Sequence, residues 1–305
     1  MSGKTKIEWA DRVWNPTVGC TPVSEGCRHC YAKRMFERFY QDHKFENVKC
    51  HPERLSIPQG WIKPQRIFVD SMSDLFHPDV PDKFIDDVWL AMFLNYRHTY
   101  LVLTKRPERM KQWVDEMLAG CMGHVFDNIW LGVSVEDQKT ADERIPLLLQ
   151  TPAAKRFVSV EPMLGDVDLT RIKWARIPID PENYKFGAPA PDELWSLRNV
   201  VFSRPGDEYN NPVVGLDWVI CGGESGPGAR PLPAKWVPHL CDQCVDHDVH
   251  FFFKQWGEWT EYPGNVDMSH RSMTYQHGLT YYRVGKKNAG NLLDGEVWNQ
   301  IPEVK

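Results

Sequence analysis

No apolar run in the 305-residue chain approaches the ~18 residues of a membrane-spanning helix, so no membrane partner is expected. The opening "MSGKTKIEWADRVWNP" also lacks the apolar core of a secretory signal. The expected compartment is therefore the cytoplasm, where thiols stay reduced and the eight cysteines are not read as disulfides. Positive charge is not in excess either. Thirty-six Lys and Arg against 41 Asp and Glu leave a net −5, which argues against a protein that coats polyanions, although a local basic patch is compatible with that average. Low-complexity tracts and sequence-level repeats are absent as well.

What the chain does have is apolar mass: 42% hydrophobic residues, with 13 Trp, 14 Phe and 10 Tyr. Short β-rich runs recur, "RIFVD" (66–70), "TYLVL" (99–103), "NIWLGVSV" (128–135), "RFVSV" (156–160), "LDWVIC" (216–221) and "VHFFF" (249–253). Amphipathic stretches at 82–97, 107–119, 137–150 and 234–247 lie between them. Near-continuous apolar strands alternating with helices predict a parallel sheet covered on both faces. With a further strand around 7–14, about seven βα-like units emerge. The fold class is thus α/β, a full or partial TIM-like (β/α) barrel, with an open doubly wound sheet as the alternative. The Pro-rich and polar stretch 165–215 reads as an insertion in a barrel domain covering 1–260, and 261–305 as a C-terminal extension.

Polar or charged residues follow nearly every strand: Ser71, Ser73 and Asp74, Lys105 and Arg106, Ser134 and Glu136, Ser159 and Glu161, Gly222-Gly223-Glu224, and Lys254. Barrels and open α/β sheets place ligands at these carboxyl ends. Polar turns that simply end strands are the plain alternative, but turns favour Asn, Asp and Gly over Lys, Arg and Glu.

The densest signal is "NPTVGCTPVSEGCRHCYAKRMFERF", where Cys20, Cys27 and Cys30 fall within eleven residues as C-x6-C-x2-C. Three thiolates leave one position of a tetrahedral zinc open, which His29, Cys50 or His51 would have to complete. Alternatively they hold three irons of a [4Fe–4S] cluster, with the fourth iron free for a small molecule. Buried packing is the third reading. Cys241 and Cys244 share one helical face, as either core packing or a second metal site would require.

The arrangement resembles the radical S-adenosylmethionine (radical SAM) superfamily, in which a three-cysteine loop follows the first barrel strand. The chain is more specifically similar to a phage-associated radical SAM-like family of poorly defined function. The segments that carry the likeness are "IEWADRVWNPTVGC", "GCRHCYA", "DSMSDLFH", "VLTKRP", "LGVSVE", "SVEPMLG", "CGGESGPGARP" and "FFFKQWG". Here the spacing departs from the superfamily's common C-x3-C-x2-C, and His29 stands at its aromatic position.

The resemblance implies that Cys20, Cys27 and Cys30 ligate a [4Fe–4S] cluster and that the open iron binds S-adenosylmethionine (SAM). It makes Ser71, Ser73 and Asp74 candidates for the SAM amino group, Lys105 or Arg106 for its carboxylate, and Ser134 and Glu136 for its ribose. Glu161 and Glu224 become candidate catalytic or substrate-facing residues. An electron donor of flavodoxin or ferredoxin type is implied. The phage setting implies a nucleobase or nucleotide substrate in the host cytoplasm, with isomerisation or other base modification as the reaction, for example rearranging an amino-acid adduct on a thymine methyl. Base-lesion repair with the same cofactor is one alternative, and a zinc-stabilised, non-enzymatic nucleic-acid-associated protein is the other.

Overall fold

A computed structural model describes residues 2–40, 42–120, 125–174, 194–195, 215–262, 273–276 and 278–303. Its centre is one sheet of eight strands: β1 (Gly3–Lys4), β2 (Arg12–Trp14), β3 (Arg66–Val69), β4 (Thr99–Thr104), β5 (Ile129–Val135), β6 (Arg156–Val160), β7 (Trp218–Gly222) and β8 (His250–Gln255). The strands lie in chain order. β1 is antiparallel to β2, and every later pairing is parallel. The sheet curls into a half-barrel, the partial form of the barrel expected above.

Helices α1 (Tyr31–Phe39), α2 (Asp82–Leu94), α3 (Pro107–Gly120), α4 (Gln138–Gln150) and α5 (Trp236–Asp246) fill the crossovers. α2 buries Phe84, Ile85, Val88, Trp89 and Met92, an apolar stripe at helical spacing. α2, α3, α4 and α5 pack on the outer face of the sheet, where the larger core lies.

Side chains alternate between the two faces with period two, so each strand also supplies the inner face. There Phe68, Leu101, Trp130, Phe157, Trp218, Ile220 and Phe252 form a second core with Trp9, which comes from the β1–β2 connection. Trp218 sits at its centre, edge-on to Trp9, Trp130 and Phe252. Gly132 occupies the middle of β5 because a Cβ there would lie 2.6 Å from the Phe157 ring. The aromatic floor is thus built around a missing side chain.

The edge strand β8 is covered by the returning chain. Its Phe253 N–H donates to Trp298 O, and Gln300 N–H donates to Phe251 O. Such cover satisfies backbone groups that an open edge would leave for intermolecular pairing. Of the insertion expected at 165–215, residues 175–193 and 196–214 lie outside the described residues, while Leu169 and Ile172 are buried in the main core. Beyond residue 260, Leu279–Arg283 pairs with Trp259–Thr260 on one side and Met273–Gln276 on the other.

Candidate cofactor site at the mouth of the half-barrel

The cysteine loop follows β2, the first parallel strand, and is fastened before it reaches its first thiol. Thr17 N–H donates to Asp70 Oδ1 (2.9 Å), Gly19 N–H to Met72 O (3.1 Å), and Ser73 Oγ to Gly19 O (2.6 Å). Cys20 N–H donates to Phe45 O. Gly19 has φ +104°, and a Cβ there would lie 2.7 Å from Phe45 O, so both conformation and space require glycine. A single 3₁₀ turn, Glu25–Cys27, carries the second thiol, and Cys30 stands immediately before α1. Ala32 and Phe36 anchor α1 on Phe45, with Cys20 and Cys30 partly buried alongside.

Strand-end residues converge on this loop from four sides. Arg106, after β4, donates from Nη1 to Asp74 Oδ2 (2.9 Å) and from Nη2 to Thr21 O (2.9 Å) and Oγ1 (3.1 Å). Its Nη1 also lies 3.6 Å from Cys20 Sγ. Burial alone would lower the Arg106 pKa, but Asp74 and Cys20 turn the net shift upward. Burial and the Asp74 carboxylate push the Cys20 thiol up to about 11, against the opposing pull of Arg106.

Glu136, after β5, is 1% exposed. It accepts from Ser24 Oγ (2.9 Å) and from Arg144 Nη1 (3.1 Å to Oε2), with Lys105 Nζ 3.5 Å away. The start of α4 fixes its backbone, since Glu136 N–H donates to Thr140 Oγ1 within the Asp137 capping box. Gly26 of the cysteine loop approaches so closely that any Cβ would strike the Glu136 side chain.

After β7, Glu224 forms a two-point pair with Arg230, whose Nη2 continues to Glu25 O (3.0 Å). Arg34 of α1 donates to Ser225 O and Pro227 O, and His29 packs where a Gly228 Cβ would be. Glu161 faces Lys254 Nζ at 3.0 Å and accepts from Ser159 Oγ at 3.2 Å. Burial pulls the Lys254 pKa down, but Glu161 makes the net shift upward.

The residues singled out in the sequence therefore meet at one end of the sheet in two groups. Ser73, Asp74, Arg106, Glu136 and Glu224 are hydrogen-bonded to the cysteine loop or to a side chain that holds it. Ser71 donates to Asn15 Oδ1, and its carbonyl accepts from Tyr31. Glu161, Lys254 and Ser159 form a second cluster at the ends of β6 and β8, and Ser134 on β5 shares the register of Ser159. Sequence reasoning missed Arg144, Arg230, Arg34 and Asn15. Arg144 had one usable signal, a position eight residues after Glu136, two turns along the following helix.

The donor set suits an iron–sulfur cluster. Three thiols stand on one braced loop beside a guanidinium. Such clusters are held by thiolates on separate irons. Cys241 and Cys244 are buried beneath the sheet, and burial drives the Cys241 thiol up to about 12, as for a packed thiol.

Fold and site together define an α/β half-barrel with a three-thiol loop clamped over the carboxyl ends of its strands. The chain belongs to the family described as "Protein of unknown function (DUF5131)", whose model matches residues 4–302. No curated protein matches it. Solved structures of spore photoproduct lyase align with it at low similarity. A mutant with dinucleoside spore photoproduct gives TM-score 0.45 and 11% identity over 95% of this chain and 72% of that one. Another mutant, with bound AdoMet and dinucleoside spore photoproduct, gives 0.44 and 11% over 93% and 71%. Among the described residues no helix is long and apolar enough to cross a membrane.

Proposed function

We propose that this protein is a radical SAM enzyme acting on a nucleobase. The observation that carries the reading is the position of Cys20, Cys27 and Cys30: on a loop after the first parallel strand, braced from the ends of β3, β4, β5 and β7. In this reading the three thiolates hold a [4Fe–4S] cluster. When bound, that cluster and SAM supply one-electron cleavage of the sulfonium and a 5′-deoxyadenosyl radical, with the electron coming from a flavodoxin- or ferredoxin-type donor.

The chain's own residues bind, orient and exclude water. Asp74 and Arg106 neutralise each other and hold the loop, so Lys105, 3.5 Å from Glu136, is the cation placed to turn to a carboxylate at the rim. Ser134 and Glu136, both buried here, stand at the end of β5 on the side assigned to the ribose hydroxyls, and the backbone of Ser71 and Ser73 shapes the side facing the amino group. Glu161, oriented by Lys254 and Ser159, faces the substrate as an acid/base candidate, and Glu224 shapes the rim through Arg230. The substrate class follows from the resemblance described above, and isomerisation or modification of a thymine-type base in phage DNA is its most specific form. A base in a duplex would have to leave the stack to reach this mouth.

Anaerobic reconstitution with iron and sulfide, followed by dithionite and SAM, tests the reading. The wild type should release 5′-deoxyadenosine and Cys27→Ala should not. Equal yields from both, or reconstituted protein without sulfide, would end it. Nucleoside analysis of exposed DNA then separates modification, in which a new nucleoside accumulates, from repair, in which one disappears.

A further inference from the structure

A second concavity lies beside the mouth, where the two ends of the curled sheet face each other. Glu8, from the β1–β2 connection, pairs with Lys286 of the C-terminal segment at 3.1 Å. The turn that follows is pinned to the end of β8, as Trp256 N–H donates to Gly290 O and Trp256 Nε1 to Leu292 O. Between these elements is a cleft of about 370 Å³ whose wall includes Glu8, Lys254, Lys286, Lys287 and Asn291.

The charge of this wall is opposite in sign to that of the chain. Three ammonium groups stand against two carboxylates, Glu8 on the wall and Glu161 against Lys254, a local net of +1, whereas the whole protein carries a net −5. Glu8 engages Lys286 and Glu161 engages Lys254, while Lys287 has no carboxylate partner among the described residues. Lysine is a compact point charge suited to phosphate oxygens, and an Asn amide adds a neutral donor. Lys254 lines the cleft and also touches Glu161 at the mouth, so the two spaces share one side chain.

We propose that this cleft binds a phosphate group of the substrate, with the attached base directed past Lys254 to the mouth. The inference rests on the nucleobase reading above and deepens it from base to nucleotide. Phosphate of a mononucleotide and phosphodiester of a strand share this chemistry, and the test separates them.

Equilibrium dialysis of the full chain would compare thymidine, thymidine 5′-monophosphate and the phosphodiester-linked dithymidine, with inorganic phosphate as competitor. The phosphate-bearing ligands should bind about tenfold or more tightly than thymidine, and inorganic phosphate should displace them. Lys287→Ala and Lys286→Ala should each remove most of that advantage without changing thymidine binding, while Lys139→Ala on the exposed side of α4 changes nothing. Tighter binding of the dithymidine identifies a strand as the source. With longer single strands, each lysine variant should then lower the salt slope by about one. Tighter binding of the monophosphate identifies a free nucleotide. Equal affinity for thymidine and its phosphate, or an unaltered Lys287→Ala protein, overturns the proposal. Dialysis needs neither cluster nor reductant. A chain that binds phosphate but makes no 5′-deoxyadenosine keeps the cleft and loses the radical chemistry, and the reverse result loses only the cleft.

Discussion

Asp70 allows a pH effect to be worked from the structure. It follows β3 with φ +57°, is 3% exposed, and spends one carboxyl oxygen on Thr17 N–H at the base of the cysteine loop. Its other oxygen, Oδ2, is buried without a hydrogen-bond partner. Burial pushes the carboxyl up to about 8, with the Thr17 bond opposing and Asp74 adding to the rise. An unfolded chain releases this proton near pH ~4, whereas the folded chain keeps it until about pH 8. The stabilisation is therefore complete below pH ~4 and is lost as pH rises towards about 8. The slope is about 1.4 kcal/mol per pH unit, or roughly 3 kcal/mol between about pH 5 and pH 7. Asp70→Asn keeps the shape, the acceptor for Thr17 and the tolerance of left-handed backbone, but has no proton to lose. Urea unfolding of the metal-free protein should give curves for wild type and Asp70→Asn that separate by roughly that amount over the window, with Asn the more stable at the upper end. Contributions common to both proteins cancel in the difference. Parallel curves would show that Asp70 ionises normally in the folded chain, and the argument from burial would be wrong.

Two further substitutions address the floor and wall of the half-barrel. Gly132→Ala, which drives a methyl into the Phe157 ring, should cost about 1–3 kcal/mol by urea unfolding, and Phe157→Leu in the same chain should recover part of that loss. Glu136→Gln leaves Arg144, whose side chain is 7% exposed, without its counter-charge. The expected loss is about 3–5 kcal/mol, and the double variant with Arg144→Met should be more stable than Glu136→Gln alone in a double-mutant cycle.

The strands were legible because a parallel strand covered on both faces must be apolar throughout. "NIWLGVSV" is buried along the whole of Ile129–Val135. The position of the site was legible for a related reason, since a covered strand turns polar only where it emerges, and Glu136, Glu161 and Lys254 mark such points. Partners were not legible. Glu136 is held by Ser24, Lys105 and Arg144, which come from three different segments and meet only through the curl of the sheet. Trp9 reads locally as part of a strand, yet it lies in the connection before β2 and fills the concave face. The return of Trp298 and Gln300 to β8 is likewise a long-range pairing with no local signature.

Lys105 or Arg106 was the expected cation for a carboxylate of SAM, and in the structure Arg106 spans Asp74 on one side and Thr21 on the other, beside Cys20. Only a planar guanidinium can span them, because a lysine ammonium is a single point that can reach Asp74 or Thr21 but not hold both in one plane. Arg106→Lys keeps the charge that Asp74 needs, so the loss of folding stability should stay within about 1–2 kcal/mol. The loop, however, loses its bond at Thr21, one residue from the first thiol. Iron and sulfide bound per chain after reconstitution should fall well below wild type, and limited proteolysis should cut between Thr21 and Arg28 faster. Full iron loading with an unchanged cleavage rate would show that the loop does not depend on Arg106, and that the guanidinium is free to turn towards a ligand after all.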